Sequence, residues 1–204
     1  MNTPIPIADL DSLLGLGEDL PFSPEWSAAS DFLALIVAHV LEAKPATILE
    51  CGSGLSTLML ARCCALNGQG EVISLENGAE FALNTRMQLE RHRLNTHARV
   101  IDAPLTPYTI ADHEYSWYSL DILPQQGIDM LVIDGPPGFL QRHSRYPALP
   151  LLIDLMKDSC AIFLDDAGRQ DEREIVAMWQ QSFPAFRHEF VETERGCSLL
   201  RRGS

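Results

Sequence analysis

Thr47-Ile48-Leu49-Glu50-Cys51-Gly52-Ser53-Gly54-Leu55-Ser56-Thr57 decides how this chain is read. A short apolar run enters a glycine turn, and the turn leads into residues that suit a helix start. Gly52 and Gly54 have no Cβ, so the backbone can turn sharply and a ligand can approach it closely. Free N–H groups at the start of the following helix attract a polar or anionic ligand group.

The same grammar repeats outward from this stretch. Strands are expected at 47–51, 71–76, 99–102, 128–133 and 160–164, with helices at 55–66, 78–93, 147–158 and 170–181 between or after them. Ile128 to Ile133 is almost unbroken in apolar character, as in a strand buried on both faces. Residues 187–191 and 197–201 read as a hairpin turning at Glu194-Arg195-Gly196. Upstream, Ser23-Pro24-Glu25 carries the signature of a helix start, and that helix is expected to run to about Ala43. Residues 1–22 read as an irregular arm with one short helical turn near Leu10 to Leu14, and 23–204 as a single domain. Residues 103–127 read as a long irregular segment, in which Trp117 and Tyr118 either form a lid or pack beneath the loop. The fold expected is α/β: Rossmann-like, doubly wound, with a mostly parallel seven-stranded sheet, helices on both faces and an antiparallel C-terminal hairpin.

The chain of 204 residues is 46% hydrophobic and carries a formal net charge of −13. That charge argues against nucleic acid and anionic membranes as main partners. Five cysteines form no metal spacing and read as reduced thiols of a cytoplasmic protein. The arm and Trp26 offer a homodimer contact.

In a doubly wound sheet, ligands bind beyond the carboxyl ends of the strands. Glu50, Glu76, Asp102, Asp134 and the pair Asp165-Asp166 each end a different expected strand. Carboxylates at the ends of neighbouring strands, roughly 5 Å apart, would repel by about 3 kcal/mol at an effective dielectric of 20. A cation is therefore expected beside them. The candidates are Arg142, Arg145, Arg169, a substrate amine or a divalent metal held by Asp134, Asp165 and Asp166, with an internal arginine favoured over metal. A P-loop is excluded because no Gly-Lys-Ser/Thr follows the turn. A dinucleotide site would place glycine where Thr57 stands, which weakens an NAD-dependent oxidoreductase reading without removing it. S-adenosylmethionine (SAM), a phosphate-free sulfonium with an ammonium and a ribose diol, suits an acidic rim better.

At this point the sequence resembles the class I SAM-dependent methyltransferases. Glu50-Cys51-Gly52-Ser53-Gly54 is similar to their first motif, and Glu76, Asp102-Ala103 and Asp134 fall in the order of their later motifs. The resemblance covers residues 45–202. It implies a cofactor site built from Glu50, Gly52, Ser53, Gly54, Ser56, Glu76, Asp102, Ala103 and Asp134, with Glu76 on the ribose and Asp102-Ala103 at the adenine. It also implies catalytic carboxylates among Asp134, Asp165 and Asp166, and O-methylation of a small molecule. The segments Ile133-Asp134-Gly135-Pro136-Pro137-Gly138, Arg145-Tyr146-Pro147 and Asp165-Asp166-Ala167-Gly168-Arg169 resemble a small branch of that family. This branch is distantly similar to the metal-dependent catechol and caffeoyl thioester O-methyltransferases. The chain departs from those enzymes at Pro137, where they carry lysine, and in its shorter glycine motif. A catalytically silent SAM-binding module is the other reading left open.

Overall fold

Seven strands form one sheet in the order β3-β2-β1-β6-β7-β9-β8. The computed structural model describes residues 7–17, 20, 27–121, 123 and 127–202. The parallel strands are β1 (Thr47–Cys51), β2 (Glu71–Glu76), β3 (Ala98–Asp102), β6 (Ile128–Ile133) and β7 (Met156–Leu164). β8 (Phe186–Val191) and β9 (Cys197–Arg202) close the sheet antiparallel. The winding reverses between β1 and β6, so the crevice of an α/β sheet opens above these two strands.

Side chains alternate across the parallel strands and feed two cores. Ile48, Val72, Met130, Val132 and Phe163 pack beneath α2 (Ser30–Ala43) and α3 (Leu55–Asn67). Leu49, Ile73, Leu131, Ile133 and Ile162 pack on the other face, with Leu149 of α5 (Ala148–Leu152) and with Ile175 and Trp179 of α6 (Gln170–Ser182). α4 (Ala79–Arg91) adds Ala82 and Leu89 to the first core. Both faces are covered, which explains the apolar continuity of β6.

Several boundaries differ from the sequence reading. The arm contains an eight-residue helix, α1 (Ile7–Leu14), whose Leu10 and Leu14 are buried. Arg62 Nε on α3 donates to Leu14 O at 2.7 Å and ties that helix down. α2 begins at Ser30, and residues 27–29 before it are not helical. The start signal at Ser23-Pro24-Glu25, and Trp26, lie outside the described residues. The helix expected over 147–158 is short: α5 and a single 3₁₀ turn at Ile153–Leu155 precede β7, which starts at Met156.

The segment expected to be irregular is a hairpin, β4 (Leu105–Ile110) with β5 (His113–Tyr118). Its two-residue turn puts Ala111 and Asp112 at positive φ, 47° and 65°. Such turns normally advertise themselves with Asn-Gly or Asp-Gly, and Ala-Asp carries no such signal. Trp117 and Tyr118 are buried, so they pack beneath the hairpin instead of forming a lid.

Candidate active site

The glycine turn and the β6 end meet because β1 and β6 are paired neighbours. Cys51 lies opposite Ile133. Just beyond, Cys51 O accepts from Asp134 N at 3.1 Å and Gly135 N at 2.8 Å. Gly52 has φ +96°, and a Cβ there would lie 3.3 Å from Gly135 N. A Cβ on Gly135 would lie 2.2 Å from the Tyr118 hydroxyl. Both positions therefore require glycine, and their contact sets the floor of a cleft of about 600 Å³. That volume lies within the range of small-molecule sites, about 300–1,000 Å³.

On the β2 side, Glu76 is buried and lines the cleft. One carboxylate oxygen accepts from Ser53 N at 2.8 Å and Ser53 Oγ at 3.0 Å, and the other accepts from Gly78 N at 2.8 Å. These bonds clamp the glycine turn to the end of β2. Phe81, Asn84, Thr85 and Gln88 of α4 form the adjoining wall. Gly52, Ser53, Gly54 and Ser56 also line the cleft.

Three expected members, Glu50, Asp102 and Ala103, do not line it. Glu50 is fully buried, and its Oε2 accepts from Thr57 Oγ1 at 2.5 Å. It braces the start of α3 from below. Burial raises its pKa from 4.5 to about 7, against the hydrogen bonds of Ser56, Thr57 and Ser74. Asp102 points outward, 65% exposed, and pairs with Arg86 Nη2 at 2.9 Å. Ala103 is buried and is not part of the cleft wall.

On the other side, Asp134, Asp165 and Asp166 come together as expected, with ligand-type oxygens within 4.8 Å of one another. The cation among them is Arg145, only 3% exposed. Its Nη2 donates to Asp166 Oδ2 at 2.9 Å and Asp134 Oδ1 at 3.4 Å, and its Nη1 to Asp165 O at 2.9 Å. Glu172 Oε1 lies 3.6 Å from Nη1. Arg169 Nη1 adds a second contact to Asp166 Oδ2 at 2.8 Å. Arg142 instead pairs with Glu174 at 2.8 Å. Asp166 sits at φ +59°, an unusual backbone for a residue other than glycine, and its ion pairs hold it there. Burial lifts the pKa of Asp134, with Arg145 opposing, and lifts that of Asp165 well above the usual carboxylate range. Asp165 is enclosed and accepts from Asp166 N, while Asp134 and Asp166 line the cleft. His143, in the loop above, turns to Glu174 on α6 at 2.6 Å and away from the cleft.

Lining residues that the sequence reading did not single out include Phe81, hidden in an ordinary helix pattern, and Arg195, in a turn read only as a turn, while Tyr118, weighed as a lid or a loop-packing residue, lies in a strand that was not recognised. No local spacing marks them, because the fold brings them in from distant segments.

A glycine turn after β1, an acid ending β2 and a polar cluster ending β6 and β7, on a sheet with this strand order, define the class I SAM-dependent methyltransferases. The chain belongs to the methyltransferase domain family, whose model matches residues 49–167. A search of curated proteins gives no match. Among similar solved structures is the SAH-bound methyltransferase PaMTH1 of Podospora anserina. It is 13% identical with a TM-score of 0.71, over 100% of this chain and 91% of that one. The O-methyltransferase TomG of Streptomyces achromogenes, solved with SAM, is 15% identical with a TM-score of 0.66, over 97% and 87%. An O-methyltransferase of Bacillus cereus in complex with SAH is 18% identical with a TM-score of 0.62, over 97% and 89%. The NAD-dependent oxidoreductase reading falls with this family assignment.

Asp134, Asp165 and Asp166 bring oxygens within 4.8 Å of one another, and those of Asp134 and Asp166 already accept from the Arg145 guanidinium, so an internal arginine supplies the cation this cluster needs.

Proposed function

We propose that the chain binds SAM in this cleft and methylates an oxygen atom of a small molecule. The observation that carries the proposal is the single cleft joining the Gly52–Ser56 turn and Glu76 to Asp134 and Arg145. Its donor set fits a nucleoside with a diol and an amino-acid end: a carboxylate, backbone of the glycine turn, amide side chains and an aromatic face. SAM supplies a methyl group on an already activated sulfonium. Glu76 accepts the ribose hydroxyls, Phe81 packs against the base, and the turn receives the methionine end. Asp134 stands at the transfer centre and takes the acceptor proton. Burial raises its pKa, with Arg145 opposing, which makes it a stronger base than an ordinary carboxylate. Arg145 holds that carboxylate in place, and the remaining acceleration comes from alignment.

The cleft's dimensions suit a small acceptor, and the net charge of −13 disfavours nucleic acid as substrate. Five buried, free cysteines agree with a cytoplasmic location, and among the described residues no helix is long and apolar enough to cross a membrane.

Isothermal titration with SAH tests the reading. Wild type is expected to bind, and Glu76→Gln to bind roughly 10- to 100-fold more weakly, the value of a charged hydrogen-bond acceptor. No binding by a folded wild type would overturn it.

A further inference from the structure

The rim of the cleft changes sign along the sheet. Glu76 stands at the β2 end and Asp134 at the β6 end, whereas Arg169 and Arg195 line the side beyond β7. Arg169 is committed to Asp166. No hydrogen bond or ion pair of the Arg195 guanidinium is seen among the described residues, and its charge opposes the burial that raises the Asp134 pKa. An uncommitted guanidinium in the cleft of a chain with net charge −13 is a selective feature.

Its position is built in by the backbone. Gly168 N donates to Arg195 O at 2.8 Å, and Ala167 N to Gly196 O at 2.9 Å. A Cβ on Gly196 would lie 2.6 Å from Gly168 N, so the hairpin turn and the β7 loop can approach this closely only as glycines. The turn is thereby pinned against the strand end that carries Asp165 and Asp166. Phe139 and Leu140, which line the same cleft, present 76% and 47% of their surface and give it an apolar lip.

We propose that the methyl acceptor carries a carboxylate on an apolar or aromatic body, and that Arg195 receives the carboxylate while Phe139 and Leu140 cover the body. A guanidinium matches a carboxylate with two parallel N–H donors, and the interaction strengthens in a partly enclosed site. Strand order assigns the anion to the acceptor and not to the cofactor. Arg195 lies on the far side of Asp134 from Glu76 along the sheet, and SAM bound as proposed above would run from Glu76 toward Asp134. This inference rests on the SAM reading above.

The test uses the SAH-saturated protein and a panel of hydroxybenzoates and hydroxycinnamates, each with its methyl ester, followed by NMR titration. At least one acid is expected to bind roughly 10-fold more tightly than its ester, the value of a hydrogen bond to a charged group. Arg195→Gln should abolish that preference with SAH affinity unchanged, and Arg195→Lys should keep part of it. The proposal is overturned if no acid outbinds its ester, or if Arg195→Gln leaves the preference intact. It is equally overturned if Arg195→Gln weakens SAH in the same proportion, which would assign the guanidinium to the cofactor. Absence of SAH binding by the wild type would instead bring down the underlying methyltransferase reading.

Discussion

The two halves of the cleft are held together by different physics. The β1–β2 half is a backbone device: a positive-φ glycine, strand ladders, and a carboxylate whose oxygens accept backbone N–H groups of Ser53 and Gly78. The β6–β7 half is an ionic device, in which one buried guanidinium is shared among Asp134, Asp165 O, Asp166 and Glu172. Local sequence dictates the first. Long-range assembly makes the second, since Arg145 comes from a loop between β6 and α5. Damage to the first half should therefore be felt in binding, and damage to the second in folding as well.

Removing Arg145 is the severest way to break this contrast. Arg145→Leu leaves buried carboxylates without their cation, and the expected loss of stability at pH 7 is about 3–5 kcal/mol. Urea unfolding measures it. The deficit should shrink toward pH 5, because the orphaned acids bind protons in the native state that the unfolded chain has already released. A loss below about 1 kcal/mol would show that the cluster does not carry the fold, and the two halves would then be alike.

Glu50 sharpens the contrast from the other side, as the one strongly perturbed acid beneath the backbone half. Its native pKa is about 7 against an ordinary 4.5. Between those values the folded state holds a proton that the unfolded state has lost, so this group's contribution to stability falls as pH rises. The full effect is about 3 kcal/mol and is reached above pH 7. Glu50→Gln lacks this dependence. Its melting temperature should therefore gain on the wild type between pH 4.5 and 7.5. A constant difference across that window would mean that Glu50 is ionised in the native protein.

Where periodicity and turn chemistry are local, the sequence was legible. Thr47–Cys51 begins and ends where its apolar run does, and so does Ile128–Ile133. The gathering of Asp134, Asp165 and Asp166 followed from strand order, and the need for a cation followed from Coulomb repulsion. Which arginine supplies that cation was not legible: Arg142, Arg145 and Arg169 are similar in sequence, and only the packed loop buries Arg145 among the carboxylates. The β4–β5 hairpin was hidden because its Ala111-Asp112 turn adopts positive φ without glycine. With it went Tyr118, whose hydroxyl approaches Gly135 across the cleft floor. Strand-end position was also too coarse a rule for two acids. It says where a residue leaves the sheet, while burial and local partners decide where its carboxylate goes.

Asp102 is the mildest test of that last point. Its carboxylate ends β3, as the strand-end rule requires, yet it turns to Arg86 at the surface, with 38% and 65% of the two side chains exposed. An exposed pair of this kind contributes about 0.2–1 kcal/mol. Asp102→Ala should therefore shift urea stability by less than about 1 kcal/mol and SAH affinity by less than about 2-fold, since no cofactor contact is lost. Fluorescence titration of SAH into wild type and variant checks this. A 10-fold loss would bring the carboxylate back into the cofactor site through a change of rotamer on binding. The backbone half of the cleft would then depend on a third strand end in addition to the glycine turn and Glu76.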